Sequence, residues 1–140
     1  METSHGKLSI VATPIGNMGD FSPRAKATLL SADVIVAEDT RTLRSLLPEE
    51  NIKALLIRSD NITEDKASAK VLTALASGQH VALITDAGTP GISDPGYLLV
   101  KKVRDAIASS EMSNEIVIEA IPGPSALAAA ISISGIPATP

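Results

Sequence analysis

Short, mostly apolar runs alternate with longer amphipathic stretches along almost the whole chain. Runs of this length, bounded by turn residues, are typical of buried strands. Five are predicted, at 8–12, 34–37, 54–57, 81–84 and 116–121. After each run, apolar residues recur at helical spacing, which predicts helices from 23 onward and at 42–47, 63–76, 96–109 and 125–134. This alternation favours an α/β fold, a five-stranded parallel sheet with right-handed crossovers and helices on both faces.

Residues at the helix ends support these bounds. Ser22 can cap a helix that has Pro23 at its first position, which is a favoured arrangement. Gly78 fits the C-terminal cap of the third helix, and Gly135 with Pro137 ends the last one.

The loop after the fourth strand, Asp86–Tyr97, holds three glycines and two prolines. Loops of the same character follow the first strand, at Thr13–Asn17, and the fifth, at Ile121–Ala126. In an open parallel sheet, ligands bind beyond the carboxyl ends of the strands, and all three loops lie there. Tight turns alone would explain any one of them. Three at the same edge predict a ligand site.

None of these loops carries a known phosphate-binding fingerprint. The dinucleotide pattern G-x-G-x-x-G is absent. Gly91 and Gly96 have the spacing of a P-loop, but Tyr97 and Leu98 follow them in place of the required Lys and Ser or Thr. Both nucleotide-binding interpretations therefore fail.

Composition narrows the class of protein. The 140 residues predict one domain, and 44% hydrophobic with only 1% aromatic residues predict an aliphatic core. The lack of cysteine excludes disulfides, thiolate catalysis and cysteine-ligated metals. A net charge of −4 gives no general attraction to nucleic acid or to an anionic membrane. No run approaches the roughly 20 apolar residues of a membrane span, and the N-terminus lacks a signal-peptide apolar region, so we expect a soluble cytoplasmic protein without membrane contact.

The second strand ends in a charged run, Glu38-Asp39-Thr40-Arg41, at the predicted ligand edge. In a structural interpretation, Asp39 or Thr40 caps the next helix and Arg41 pairs with an acid. In a functional interpretation, Glu38 or Asp39 is an orienting acceptor and Arg41 contacts an anionic substrate. Neighbouring residues of an extended chain point to opposite faces, so the two carboxylates would not share one face of a pocket.

Four other polar residues are less informative. Asp86 and Asp94 are either caps or ligand acceptors. His5, in the tail, and His80, at a strand start, have no partners that indicate metal binding or acid–base work. No metal site is predicted.

Several motifs follow one another in order over nearly the whole chain: Val11–Asn17, Arg24-Ala25, Ala37–Arg41, Asp86–Tyr97, Pro122–Ala126 and Ser134–Pro137. In this order they resemble the tetrapyrrole methylase superfamily, and within it the branch that methylates a cytidine ribose of small-subunit ribosomal RNA. The run Asp86–Pro90, Asp-Ala-Gly-Thr-Pro, is the most specific of them.

The resemblance implies a reaction and its partners. S-adenosyl-L-methionine would be the methyl donor, held between two domains of a homodimer. The acceptor would be the 2′-hydroxyl of a cytidine in 16S ribosomal RNA of the small ribosomal subunit. We expect residues 1–7 to be a flexible tail and residues 8–140 to be the N-terminal, donor-binding domain, with the second domain absent. Such a fragment should be inactive alone, because the missing domain would form the other wall of the donor cleft.

The resemblance also assigns candidate site residues. Removal of the proton from the hydroxyl needs an acceptor, for which Glu38 and Asp39 are the candidates, and Arg41 joins them as the third catalytic candidate. The predicted donor-binding residues all come from the three loops: Pro14, Gly16, Asp86, Ala87, Gly88, Thr89, Ile92, Ser93, Pro122, Gly123, Ser125 and Ala126.

The chain departs from the family pattern in three places. A His-Asp-His-Asn-like run is usual after the third strand, whereas Arg58-Ser59-Asp60-Asn61 keeps only the Asp-Asn part. The loop at 110–115 is longer than usual. The sequence stops at Pro140, where the family continues through a linker into a second domain.

The acidic net charge is a difficulty for an RNA enzyme. Either the basic surface lies mostly in the absent domain, or Arg24, Arg41 and Arg44 concentrate positive charge locally. Two other functions stay open. One is methyl transfer to a small tetrapyrrole-like substrate, because the donor-binding loops are shared across the superfamily, and the other is a catalytically silent truncated domain.

Overall fold

A computed structural model describes residues 5–60, 63–92, 96–109 and 115–139. They form a five-stranded sheet in the order β3-β2-β4-β1-β5, with every neighbouring pair parallel. The predicted α/β architecture is therefore confirmed. The elements are β1 Lys7–Val11, α1 Pro23–Ser31, β2 Val34–Ala37, α2 Thr40–Leu46, β3 Leu55–Arg58, α3 Glu64–Ala76, β4 His80–Leu83, α4 Gly96–Ala108, β5 Val117–Ile121 and α5 Ala126–Ser134, with a 3-10 turn at Met18–Asp20.

The order of the strands creates one reversal in the winding of the sheet. From β1 the chain passes through β2 to β3 at one edge, then returns to β4 and finishes at β5 on the other edge. Helices α1 and α2 pack on one face, and α3 and α4 on the opposite face. The loops after β1 and β4 therefore leave neighbouring strands toward opposite faces. In doubly wound folds such a switch point is where ligands bind.

The core is aliphatic, as the composition predicts. One layer joins α3 and α4 to the sheet and includes Val71, Val103 and Leu8, all fully buried. The other layer joins α1 and α2 to the sheet and includes Leu29 and Leu43. Parallel strands covered on both faces by helices bury nearly every side chain, which is why Val34–Ala37 is buried throughout.

Helix capping follows the local sequence. Ser22 accepts a hydrogen bond from the Ala25 backbone N at 3.0 Å, and Pro23 opens α1. Helix α2 begins at Thr40, two residues before the predicted start, because Asp39 is its N-cap. Gly78, just past α3, has a φ of 86°, which is the left-handed conformation expected after a helix C-terminus.

The first strand begins one residue earlier than predicted. Strand β1 starts at Lys7, and the buried Gly6 accepts a hydrogen bond from the Val117 backbone N at 3.0 Å. A Cβ on Gly6 would collide with the carbonyl of Leu75. Because glycine has no side chain, the backbone just before β1 can pass close to α3. Residues 1–4 of the predicted tail lie outside the described part of the chain, as do residues 110–114 of the predicted loop.

Helix α5 packs differently from the other four. All of its residues are exposed, although they are mostly apolar, and Ile133 is 88% exposed. No helix in the described part of the chain is long and apolar enough to cross a bilayer.

Candidate functional site

The loops after β1 and β4 are hydrogen-bonded to each other at the switch point. The Thr13 backbone N donates to the Gly88 carbonyl at 3.0 Å, and the Gly88 N donates to the Thr13 carbonyl at 3.1 Å. Gly88 has a φ of 81°, which glycine adopts without the steric cost that other residues incur. A Cβ at Gly88 would also lie 3.2 Å from Cγ2 of Ile15. Glycine at this position therefore lets the two loops pair closely without backbone strain.

The loop after β5 joins the same cluster. The Thr89 hydroxyl donates to the Pro124 carbonyl at 2.9 Å, and Gly123 lies so close to Ala12 that an added Cβ would be 2.9 Å from the Ala12 Cβ. The three glycine- and proline-rich loops thus form one continuous surface at the carboxyl end of the sheet. We call this surface the three-loop cluster.

The predicted donor-binding residues of the first loop differ in their surroundings. Pro14 is buried, whereas Gly16 is exposed with a φ of 135° and open space around its Cα. In the loop after β4, Asp86 and Ala87 are exposed, and Ile92 is 42% exposed. Ser93 and Asp94 lie outside the described residues.

In the loop after β5, the hydroxyl of Ser125 already has a structural partner. It accepts a hydrogen bond from the Ala128 backbone N at 3.2 Å and caps α5, which begins at Ala126. Pro122 and Gly123 are exposed. This loop therefore presents mainly backbone and small side chains.

A groove of about 650 Å³ opens beside the three-loop cluster. Its loop side is formed by Thr89, Pro90 and Gly91, and Tyr97 of α4 stands at its rim, 56% exposed. Its floor is apolar, formed by side chains of β1 and β5, among them Ile10 and Ile118. The sequence motifs did not identify Tyr97 as a site residue, although it ends the loop on which the prediction centred.

A charged region lies on the other half of the same edge, beyond β2 and β3. Asp39 caps α2 by accepting a hydrogen bond from the Arg41 backbone N at 2.9 Å. The Arg41 side chain donates to both carboxylate oxygens of Asp39, with Nη2 2.6 Å from Oδ2. The structural interpretation of this run is therefore present in the fold, with Asp39 as cap and Arg41 as its ion-pair partner.

These contacts change the titration of Asp39. Hydrogen bonds from the Arg41 side chain and backbone are the largest influences, and they lower the pKa of Asp39 to about 2, with a smaller contribution from the charge of Arg58. The Asp39 partner in turn raises the pKa of Arg41, and Asp86 adds to that shift. Because its pKa is low, Asp39 holds protons weakly and is better suited to orient a partner than to remove a proton.

Glu38 lies in different surroundings from its neighbour Asp39. It is half-buried and lines a small pocket together with Asp60, Glu64 and Thr85. The two adjacent carboxylates therefore belong to different environments.

Two contacts that the sequence motifs did not identify complete the charged region. The Thr42 hydroxyl lies 3.3 Å from Oδ1 of Asp86 and donates to it, which links α2 to the start of the loop after β4. Arg58 ends β3 and pairs with Asp60, with Nη2 2.9 Å from Oδ2. In the sequence, Arg58 directly follows the third predicted strand and opens the 58–61 run that departs from the family pattern, which places it at the same edge as the three loops.

A family model matches this chain over residues 7–140; it is the model described as Tetrapyrrole (Corrin/Porphyrin) Methylases. Curated proteins named ribosomal RNA small subunit methyltransferase I are also similar. The one from Xylella fastidiosa is 48% identical over 94% of this chain and 45% of its own length. The one from Thermotoga maritima is 42% identical over 94% of this chain and 56% of its own length. The chain thus spans about half the length of the curated relatives it matches.

Solved structures share the fold at lower identity. The crystal structure of uroporphyrin-III-C-methyltransferase from Thermus thermophilus superposes with a TM-score of 0.64 and 21% identity, covering 97% of this chain and 55% of the other. The cobalamin biosynthetic enzyme cobalt precorrin-4 methyltransferase superposes with a TM-score of 0.65 and 20% identity, covering 100% of this chain and 55% of the other. These likenesses establish the same five-stranded architecture.

Proposed function

Because the chain belongs to the tetrapyrrole (corrin/porphyrin) methylase family, we propose that it forms the donor-binding part of an S-adenosylmethionine-dependent methyltransferase that acts on ribosomal RNA. The observation that carries this proposal is the difference between two sets of relatives. Identity is 48% to a curated protein named for ribosomal RNA methylation, but 21% to a structure of a porphyrin methyltransferase.

The acceptor we propose is the 2′-hydroxyl of a cytidine ribose in 16S ribosomal RNA. Support comes from two motifs that characterise this branch, Glu38–Arg41 and Asp86–Pro90. They lie at the same edge of the sheet, and the Thr42–Asp86 hydrogen bond connects the two segments. A substrate that reached from the charged region to the three-loop cluster would contact both motifs.

The three-loop cluster has the properties that an adenosylmethionine site needs. The donor presents an apolar adenine and several polar groups, and small-molecule sites are mostly apolar with a few polar groups that fix orientation. The groove supplies an apolar floor, the Thr89–Gly91 backbone and the ring of Tyr97. The open space at Gly16 and Gly91 leaves backbone accessible. We propose that these residues hold the donor.

When bound, adenosylmethionine supplies an electrophilic methyl group on a sulfonium. The task of the protein is to hold the attacking hydroxyl oxygen in line with that methyl carbon, because small errors of alignment lower the rate steeply. We assign Asp39 and Arg41 to orientation of the RNA, since their mutual hydrogen bonds hold both side chains in place. Within the run Glu38–Arg41, Glu38 is the remaining candidate for accepting the proton of the ribose hydroxyl.

The partners we propose are the small ribosomal subunit and a second copy of the protein, in the cytoplasm where ribosomes assemble. The exposed apolar helix α5 supports further association, because exposed apolar patches mark interaction surfaces. Its side chains Leu127 and Ile133 are 55% and 88% exposed.

The test is methyl transfer from a labelled donor, measured with a version of the chain extended to the length of its relatives. Small ribosomal subunits that lack the modification and a free tetrapyrrole are offered in parallel, and labelled RNA is digested to identify the modified nucleoside. We expect label in a 2′-O-methylcytidine and none in the tetrapyrrole. Label in the tetrapyrrole alone would favour the small-substrate alternative, and donor binding without transfer to either would favour a silent domain.

A further inference from the structure

Arg58 lies beside the charged run, although neither its role nor its neighbours could be read from the motifs. Strand β3 pairs with β2 in parallel register, and Arg58 is the partner of Ala37. The pairing continues past the strand ends, since the Ser59 backbone N donates to the Ala37 carbonyl at 2.9 Å. Arg58 therefore reaches the ligand edge next to the strand that continues into Asp39 and Arg41.

Each of the two arginines forms an ion pair with a carboxylate. In each pair the acid is the more covered partner: the side chain of Asp39 is 33% exposed and that of Arg41 88%. The side chain of Asp60 is 20% exposed and that of Arg58 66%. In this part of the surface, the guanidinium groups are therefore more exposed to solvent than the carboxylates, although the whole chain carries a net charge of −4.

Asp60 is itself held in position, which limits the freedom of Arg58. Its Oδ1 accepts hydrogen bonds from the Thr63 backbone N at 2.9 Å and from the Thr63 hydroxyl at 3.0 Å. A guanidinium paired to a carboxylate that is already anchored loses less freedom when it binds a ligand. Each arginine also has more N–H donors than its carboxylate partner uses. The Arg58 side chain pairs with Asp60 through Nη2.

We propose that Arg58 and Arg41 form a pair of guanidinium groups that bind phosphates of the RNA beside the reacting ribose. The inference rests on the proposed function and deepens it. Guanidinium is the group best matched to phosphate oxygens, because its planar donors bind two oxygens at once. Phosphate contacts position the nucleic acid without reading its sequence.

The place of Arg58 in the sheet makes it a positioning residue. Strands are about 4.8 Å apart, so β3 lies roughly 10 Å from β4 and farther from β1, where the three-loop cluster begins. This distance is too long for contact with the transferred methyl group. It fits a phosphate on a nucleotide that flanks the target. Asp86, exposed between the two regions, would disfavour phosphate closer to the switch point.

The test compares Arg58→Ala, Arg58→Lys and a matched control, Lys53→Ala, in the version extended to the length of the relatives. Lys53 is exposed two residues before β3, at the opposite end of that strand from Arg58, and its loss changes the net charge equally. The measurements are affinity for small ribosomal subunits over a series of salt concentrations, KM and kcat for RNA methylation, donor Kd and melting temperature.

For Arg58→Ala we expect RNA affinity to fall roughly tenfold, as for loss of one charge-assisted contact. The slope of log affinity against log salt should shrink by about 0.7, the value for one phosphate contact on single-stranded RNA. KM should rise, with kcat, donor Kd and melting temperature unchanged. Arg58→Lys should keep the salt slope and part of the affinity, and Lys53→Ala should keep both.

Two failures are distinguishable. If the unmutated protein methylates RNA but Arg58→Ala matches Lys53→Ala in salt slope and KM, the assignment of Arg58 is wrong and the proposed function stands. If the unmutated protein binds donor and methylates no RNA, the proposed function fails, and the phosphate role fails with it.

Discussion

Thr13 and Gly88 exchange two backbone hydrogen bonds, of 3.0 and 3.1 Å, across the gap between β1 and β4. They are far apart in the sequence, yet this pairing joins the loops that leave the switch point toward opposite faces of the sheet. With the Thr89–Pro124 hydrogen bond of 2.9 Å, it makes three separate loops into one surface. The arrangement of the candidate donor site therefore depends on a few contacts that can each be tested.

Replacing Gly88 by Val should abolish donor binding while leaving most of the fold intact. The φ of 81° costs an L-residue about 1–2 kcal/mol, and the new side chain would press on Ile15, whose Cγ2 lies 3.2 Å from the Cβ position. The measurements are calorimetric titration with adenosylmethionine and far-ultraviolet circular dichroism. Gly135→Val is the matched control, because Gly135, past the end of α5, has a φ of 71° and open space around it. Unchanged affinity in a folded Gly88→Val variant would contradict the role of this contact.

Replacing Thr89 by Val should loosen the junction between the loops after β4 and β5. The change removes the hydroxyl that donates to the Pro124 carbonyl and preserves side-chain shape, so we expect a loss of about 1 kcal/mol in unfolding free energy. Thr73→Val is the control, because the Thr73 hydroxyl donates to the Ala69 carbonyl at 3.0 Å within α3. Donor affinity measured by titration should fall for Thr89→Val alone. Equal donor affinity in both variants would show that the junction does not shape the site.

Replacing Arg41 by Ala should raise the pKa of Asp39 from about 2 toward its ordinary value, because the hydrogen bonds from Arg41 are the main cause of the low pKa. In the unmutated chain, the stability from ionised Asp39 is present above about pH 4 and is lost as pH falls through about 2. Over that pH range, the free energy of unfolding should therefore fall less in Arg41→Ala than in the unmutated chain.

Carboxylate NMR titration measures the pKa of Asp39 directly, and RNA binding is measured beside it. In the version extended to the length of the relatives, Arg41→Ala should weaken RNA binding and spare donor binding. Equal loss of both, or a large drop in melting temperature, would assign Arg41 a structural role only.

Stability should fall as the solution becomes mildly acidic, because of His80. Burial is the main cause of its lowered pKa, with a contribution from the charge of Lys7, and Nε2 of the ring shares a hydrogen bond of 2.8 Å with the Ser9 hydroxyl. The unfolded chain then binds a proton more readily than the folded chain. The stabilisation is complete above the unfolded pKa of about 6.5 and is lost as pH falls through the folded value.

Melting temperatures of the unmutated chain and of His80→Gln, recorded between about pH 7.5 and about pH 5, check this dependence. The unmutated chain should lose stability over the range, and the glutamine variant should lose less. Parallel curves for the two proteins would assign the pH dependence to other groups.

The 140-residue chain by itself should be inactive as a methyltransferase even when folded. The groove beside the three-loop cluster is open on one side, and small-molecule sites usually bury roughly 70–90% of their ligand. A loss of about 4 kcal/mol in donor contacts would weaken binding roughly a thousandfold. Methyl incorporation into small ribosomal subunits, compared between this chain and the version extended to the length of its relatives, measures the difference. Comparable turnover would show that the open side needs no further wall.

The number, order and type of the elements follow from local sequence. Apolar runs mark strands because a strand covered on both faces must be apolar throughout, as Val34–Ala37 is. Side-chain chemistry at helix ends works over three or four residues, so Ser22 and Pro23 set the start of α1 correctly. The same kind of evidence gave Asp39 as one of two candidate caps of α2, and Asp39 is the cap in the structure. The family motifs also lie in linear sequence, and they identified the three loops.

Tertiary structure alone decided which of these residues meet. The order β3-β2-β4-β1-β5 brings Thr13 against Gly88 and places Arg58 beside the strand that leads to Arg41. Hydrophobic periodicity says which side of an element is buried, and it carries no information about which element lies next to it. Strand neighbours and register arise from the packing of the whole chain, so contacts between distant loops had no signature in the sequence.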